Sequence, residues 1–497
     1  MTITSVAAQA GRFTALRGEL DTLQRQLGTG AKAETYAGLG LDRAGSLGIR
    51  AKLSALEGYD AAIGDATLRL KVMGAALTRL TAIGADTRAD LVQGTLSGND
   101  GPALARSRAE ARMREAIDLL NQEVSGRRVF AGRAADAPPV ESYDRIMNGD
   151  PATGRDGLRQ LIEERQAADI GDGRGRLALA QPSPTSLTLT EGGDTAGQPI
   201  PFGFGLASAS GTGSALRVTQ PSGSPATLGV DVTGLPLAGD ALTLTLDLPD
   251  GTTSTLTLTA RAQGAGPDSF VIGATPEITA TNLKAALNTA LGDRANTALA
   301  AASAAAAAEE FFAASSSQAP RRVAVGTPAD PAGATAFEPA ATARPTVLWY
   351  RGEEAASPRE TAPVRVDATT TLATGAQANE PALRDLMAAL GTLAANGSTD
   401  NGRFAALAER VAGRIDPEAG APTTGLIASQ LGIAQAALAG AKERHQASAA
   451  LLTDTLSGIE RADPESTATA ILDVQNRLQA SYQTTAMLSR LSLVNYL

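Results

Sequence analysis

Apolar positions at both ends of the chain fall at alternating spacings of three and four. Near the start, Phe13, Leu16, Leu20, Leu23 and Leu27 form such a series, with Arg12, Arg17, Glu19, Asp21 and Arg25 largely off it. That spacing puts one narrow stripe on a helix, the geometry of a heptad seam. Gly28 and Gly30 predict its end, and a glycine-containing loop is expected to about Ser46. A second, longer series runs through Ile63, Ala66, Leu70, Met73, Leu77, Leu80, Gly84, Thr87 and Leu91, and a third through Met113, Ile117, Leu120 and Val124. At the other end, Asp463 can cap a helix that begins at Pro464. Its stripe is Ile471, Val474, Leu478, Ser481, Thr485, Leu488 and Ser492, and the run closes on Leu491, Leu493, Tyr496 and Leu497 with no charge after Arg490. Ser and Thr dilute this stripe, so it predicts a seam that meets another helix rather than a deep core face.

The middle of the chain follows a different period. LTLTLD and TSTLTLTA flank Leu248-Pro249-Asp250-Gly251, which predicts two strands joined by a tight turn. Ser269–Gly273 reads as a further strand. Glu277–Leu291 reads as a helix with Ile278, Leu283, Leu287 and Leu291 inward, and the alanine-rich run 298–314 as another. Thr346–Gly352 and Pro363–Leu372 are expected to pair as strands. Helical spacing returns at Leu383, Leu386, Met387, Leu390 and Leu393, and a long Ala/Leu helix is expected from about Pro422 to Gly458. The predicted class is therefore α+β and multidomain. Long N- and C-terminal helices pair as a coiled coil or helix bundle, with a strand-rich α+β region inserted between them. The expected divisions are 1–140 and 379–497 for the two helical parts, 141–182 as a connection, 183–315 as the inserted domain and 316–378 as a β-rich linker.

Composition narrows the function. The hydrophobic share is 43% but aromatics are only 3%, so Leu, Ala, Val and Ile must build the core. A net charge of -9 argues against nucleic acid or an anionic membrane as the main partner. The chain has no cysteine, which removes disulfides and thiolate chemistry. No apolar run approaches the roughly 18 residues of a membrane span. The first residues lack both a basic start and an apolar signal core, so a cytoplasmic protein or one exported uncut is expected.

Candidate chemistry is sparse. His445, the single histidine, lies in AKERHQAS and is expected to be solvated. DIGDGRGR (169–176) lacks the Lys-Ser/Thr of a phosphate loop, and GFGLASASGTG (203–213) fails in the same way. The pairs Glu163-Glu164, Glu309-Glu310 and Glu353-Glu354 read as surface, because adjacent side chains diverge. Trp349-Tyr350 reads as packing, with a binding surface as the other possibility. No catalytic residue, cofactor site or metal site is predicted.

Three stretches carry a family resemblance. SGIERADPESTATAILDVQNRLQASYQTTAMLSRLSLVNYL at the end resembles the flagellin-type C-terminus, with its Leu-Gln-Ala-Ser middle and Leu-Ser-Leu-x-Asn-Tyr-Leu end. Leu27, Thr29, Gly30, Asp42, Leu47 and Ile49 match the flagellin Leu-x-Thr-Gly signature and the Asp-x-Ala-x-x-Leu-x-Ile segment after it. SGRRVFAGRAADAPPV (125–140) resembles the Phe-Ala-Gly…Pro-Pro stretch of the hook–filament junction branch. The flagellin Ile-Asn-Ser-Ala segment is replaced by AETYAGLGL, which favours that junction branch over filament flagellin. The resemblance covers about residues 1–140 and 420–497.

This resemblance implies an extracellular structural subunit of the bacterial flagellum, exported without a cleaved leader and assembled as a ring between hook and filament. Its implied partners are further copies of itself, a neighbouring hook-associated protein, flagellin and an export chaperone at the C-terminus. Its implied interface is the two terminal stripes named above, with no membrane insertion. A flagellin of the filament body is the alternative. An adhesin or an enzyme in the middle region is a more remote one.

Overall fold

The computed structural model describes residues 3–264, 266–416 and 422–494, the side chains of 3–9, 99 and 488–494 excepted. In chain order, α1 (Ile3–Thr29) leads through a 3-10 turn at Tyr36–Asp42 into α2 (Arg43–Leu96) and α3 (Gly101–Leu120). Two short strands, β1 (Glu123–Val124) and β2 (Arg127–Arg128), precede α4 (Tyr143–Asn148) and α5 (Leu158–Ile170). The strand-rich part holds β3 (Ala178–Ser183), β4 (Ser186–Thr190), β5 (Gly205–Gly211), β6 (Leu216–Gly223), β7 (Ala226–Val232), β8 (Ala241–Asp247), β9 (Thr253–Arg261) and β10 (Ser269–Val271). Then come α6 (Pro276–Arg294), α7 (Ala300–Ala313), the small strands β11 (Pro363–Arg365) and β12 (Thr371–Ala373), α8 (Pro381–Ala395), α9 (Asn401–Ile415), α10 (Thr424–Glu460) and α11 (Pro464–Val494). The α+β, multidomain class is thus as expected.

Packing divides the chain into two units. One comprises residues 1–67, 364–372 and 436–497; the other comprises 68–363 and 373–435. The first unit holds α1, the start of α2, the β11–β12 turn, the later part of α10, and α11.

The second unit contains a strand-rich core and a helical core. Two four-stranded sheets run in the orders β10-β9-β8-β5 and β3-β4-β7-β6. All pairs are antiparallel except β9–β10, which is parallel. In β8 and β9, leucines alternate with threonines. The register Leu244↔Leu256 and Thr243↔Thr257 therefore puts Leu242, Leu244, Leu246, Leu256 and Leu258 inward. They join Leu187, Leu189, Leu228, Val230 and Val232 of the other sheet, and Leu283, Leu287 and Leu291 of α6, in one apolar cluster. Ile278, expected inward, is 47% exposed because it lies in the first turn of α6, one residue past the Pro276-Glu277 start.

The helical core is centred on α7. Residues 300–308 of α7 are all buried, and their small side chains let α5, α8 and α9 approach closely. Phe311 and Phe312 close its end, and Trp349 Nε1 donates to the Phe312 carbonyl at 2.8 Å. The long stripe of α2 is buried at every position from Ile63 to Leu91. Each fully buried Leu on it contributes about 1.5–3 kcal/mol.

Two further expectations fail here. Helix α3 stops at Leu120, short of Val124, because Ser125 and Gly126 take φ of 52° and 77° in the tight β1–β2 turn. Residues 346–352 do not pair with 363–372. Tyr350 bridges Val140, Thr346 bridges Asp156, and β11 pairs with β12. A run rich in β-branched and aromatic residues looked like a strand, yet its partners are isolated residues of the α3–α5 region.

Candidate assembly interface

The first unit brings the two terminal stripes together. Helices α1 and α11 pack side by side, and they run antiparallel: Ala31 bridges Arg461 while Phe13 lies against Tyr482 further along both helices. The Phe13 and Tyr482 rings meet edge-on with centroids 4.4 Å apart, a favourable aromatic geometry. Of the predicted stripe residues, Val474 and Leu478 are buried, whereas Phe13, Leu16, Leu20, Leu23 and Ile471 are only half-buried. Leu27 is 44% exposed. The neighbouring Gln26 is half-buried, and its Nε2 donates to the Lys32 carbonyl in the loop after α1 at 2.8 Å. Leu488, Leu491 and Leu493 lie in α11 with side chains outside the described set, and Tyr496 and Leu497 lie outside the described residues.

A polar clasp holds the base of this pair. Gly30 takes φ +68°, a conformation that ends α1 and that few L-residues adopt. Beyond it, Lys32 N donates to the Glu460 carbonyl at 2.8 Å and Ala462 N to the Gly30 carbonyl at 3.0 Å. Lys32 Nζ donates to the Gly458 carbonyl at 2.6 Å. The Glu460 carboxylate accepts Arg50 Nε at 2.9 Å and Nη2 at 2.6 Å, and Ser46 Oγ at 2.5 Å. Those bonds from Arg50, then Ser46, hold the Glu460 carboxyl below its ordinary value. Asp463 begins α11 as expected: its carboxylate accepts Glu465 N at 3.1 Å, and its carbonyl accepts Thr467 N. Nothing local in the sequence reveals this clasp, because Ser46 and Arg50 reach Glu460 across more than 400 residues of chain.

His445 corrects the expectation of a solvated imidazole. It is 7% exposed, with Nδ1 2.9 Å from Asp60 Oδ1 and the Tyr59 ring 5.9 Å away. The charges beside it in sequence point elsewhere around the helix, while the imidazole itself faces α2.

Several apolar side chains of this unit have no cover. Leu41 is 99% exposed, Leu451 68%, Met487 65% and Leu472 60%. Charge is also divided between the units. Basic and acidic residues nearly cancel in the first, so almost all of the net -9 belongs to the second.

The polar groups of the second unit that the sequence singled out are structural. Glu163 is exposed as expected, but Glu164 is buried, which corrects the surface reading of that pair. Its carboxylate accepts Arg344 Nη1 at 2.7 Å, Arg344 Nη2 at 2.9 Å and Arg322 Nη2 at 3.0 Å, and Arg322 also reaches Asp156 at 2.7 Å. In the 169–176 loop, Asp169 accepts Arg165 Nε and Gly203 N, while Arg176 donates to the carbonyls of Ala168 and Ala334. Trp349 and Tyr350 are fully buried, so their faces are closed to a ligand from solvent. Among the described residues, no group of three or more His, Cys, Asp or Glu could hold a metal ion, and no helix is long and apolar enough to cross a membrane.

No protein-family model and no curated protein matches the chain.

Proposed function

We propose that the chain is a structural subunit of the bacterial flagellum, a hook–filament junction adaptor that assembles through its terminal helices. The observation that carries this reading is the α1–α11 pair, whose common seam is left half-open by Phe13, Leu16, Leu20, Leu23 and Ile471. In the proposal these helices form an intramolecular coiled coil, and neighbouring copies supply the burial that one copy lacks. Ordering a residue costs about 1–2 kcal/mol of backbone entropy, and lone amphipathic helices are marginal in water. A seam with half-exposed leucines recovers only part of the ~1.5–3 kcal/mol that each full burial returns. The exposed Leu41, Leu451, Leu472 and Met487 give further apolar area to the same unit. The near-neutral charge of that unit removes the repulsion that would keep copies apart. Export without a cleaved leader, an extracellular place in the flagellum, and contacts to a second hook-associated protein, flagellin and a C-terminal export chaperone follow from the resemblance at both ends.

Electron microscopy of a strain lacking the protein tests the reading. Intact hooks without filaments, with flagellin released into the medium, are expected. Filaments of normal length would overturn it.

A further inference from the structure

A cleft of about 380 Å³ opens in the second unit, between α5, α7, the end of α8 and the start of α9. Its apolar wall includes Ala301, Ala304 and Leu407, and several of its polar groups already have hydrogen-bond partners. Gln166 Nε2 donates to the Ala300 carbonyl at 2.8 Å, and Thr392 Oγ1 to the Ala388 carbonyl. Asn396 and Ser398 bond each other, with Asn396 Oδ1 accepting Ser398 N at 3.2 Å.

Two of its donors, one charged and one on the backbone, make no bond among the described residues. The guanidinium of Arg403 makes no hydrogen bond or ion pair among the described residues, although its neighbours on α9, Arg410 and Arg414, each hold a carboxylate. The Gly397 N–H is likewise unbonded there, and a side chain built at Gly397 would meet nothing within 4 Å, so the backbone at this point is open.

The placement of Arg403 is electrostatically costly. It is the third residue of α9, at the positive end of the helix dipole, where a cation is disfavoured. Burial pulls its guanidinium below the ordinary value, and the charge of Asp400 offsets only part of this. Asp400 is itself engaged as the cap of α9, accepting Arg403 N at 2.6 Å. A half-buried guanidinium and a backbone N–H lining the same cleft are the donor types that take the oxygens of a carboxylate or a phosphate.

We infer that this cleft binds a small oxyanion, a carboxylate or a phosphate, through the Arg403 guanidinium and the Gly397 N–H. Glu163 on the rim is the one carboxylate lining the cleft and opposes the ligand. The inference concerns the second unit alone and stands apart from how the termini assemble.

Calorimetric titration of the full chain with glutarate and with inorganic phosphate, against chloride at matched ionic strength, tests it. Saturable binding at roughly millimolar concentration is expected. Arg403→Gln weakens it at least about tenfold, the value of one charge-assisted hydrogen bond, and Glu163→Gln tightens it. A preference for glutarate assigns the site to carboxylates, and a preference for phosphate assigns it to phosphate esters. Heats matched by chloride, or equal binding by a folded Arg403→Gln protein, overturn the inference. If Arg403→Gln does not fold, Glu163→Gln decides: unchanged affinity in that variant counts against the site.

Discussion

Asp60 and His445, 385 residues apart in sequence, meet at 2.9 Å between α2 and α10. The imidazole is almost wholly buried, so its loss leaves both a cavity and a carboxylate without its donor. His445→Ala should lower the stability of the first unit by about 1–3 kcal/mol. Urea denaturation followed by helix ellipticity measures this. A midpoint unchanged from wild type would show the pair to be incidental.

The buried carboxylate of Glu164 gives the second unit an acid-sensitive point. Burial alone pushes this carboxyl up, but hydrogen bonds from Arg344 and Gln160, with the charge of Arg322, outweigh it and hold the group below its ordinary value. A depressed folded pKa means that the stabilisation is complete above the unfolded value of about 4.3 and is lost as pH falls through the folded one. Glu164→Gln removes the charge shared by Arg322 and Arg344, which keep Asp156 and Glu338 as partners, and should cost about 1–3 kcal/mol at neutral pH. The same variant should lose less stability than wild type between pH 5 and pH 3, as read by thermal melts across that range.

Seam positions should differ sharply. Leu478→Ala removes a buried side chain and should destabilise the α1–α11 pair by about 2 kcal/mol or more, whereas Leu27→Ala at an exposed position should cost less than about 0.5 kcal/mol. Sedimentation velocity on both variants, alongside thermal unfolding, separates lost pairing from lost assembly. Equal effects from the two substitutions would contradict the burial pattern.

Limited proteolysis should cut α1 and α11 of the isolated chain before any strand of the β3–β10 region. The terminal helices bury little, whereas each β8–β9 leucine is enclosed by two sheets and α6. Mass spectrometry of early fragments checks the order, and termini as resistant as the middle would refute it.

The turn into α3 tolerates no side chain. A Cβ at Gly101 would lie 2.0 Å from the Gly94 carbonyl oxygen, so the backbone itself would have to move. Gly101→Ala should cost about 1–3 kcal/mol. A melting temperature at the wild-type value would sink this account.

These residues also mark what the sequence made legible. The α2 stripe from Ile63 to Leu91 was readable because helical periodicity is local, and every position proved buried. The Leu/Thr alternation around Pro249-Asp250-Gly251 was readable for the same reason, and it even set the register. Burial of His445 and Glu164 was not readable. Both lie among charged neighbours that signal solvent, and Asp60, Arg322 and Arg344 come from distant chain. The open seam at Phe13–Leu23 was half legible: Ser and Thr in the partner stripe announced weakness, but only packing showed that Leu27 stays exposed. The Arg403 cleft had no signature at all, because it is defined by bonds that are not made.

The division of charge has a consequence for how copies would meet at different salt. Contacts made through the nearly neutral unit gain little from ionic strength and lose little to it. The acidic unit, by contrast, repels its counterparts over a range set by the Debye length, about 30 Å at 0.01 M and 8 Å at 0.15 M. Dilute buffer should therefore keep copies spaced through one unit while leaving the other free to join. If copies join as proposed, raising the salt should therefore strengthen their association.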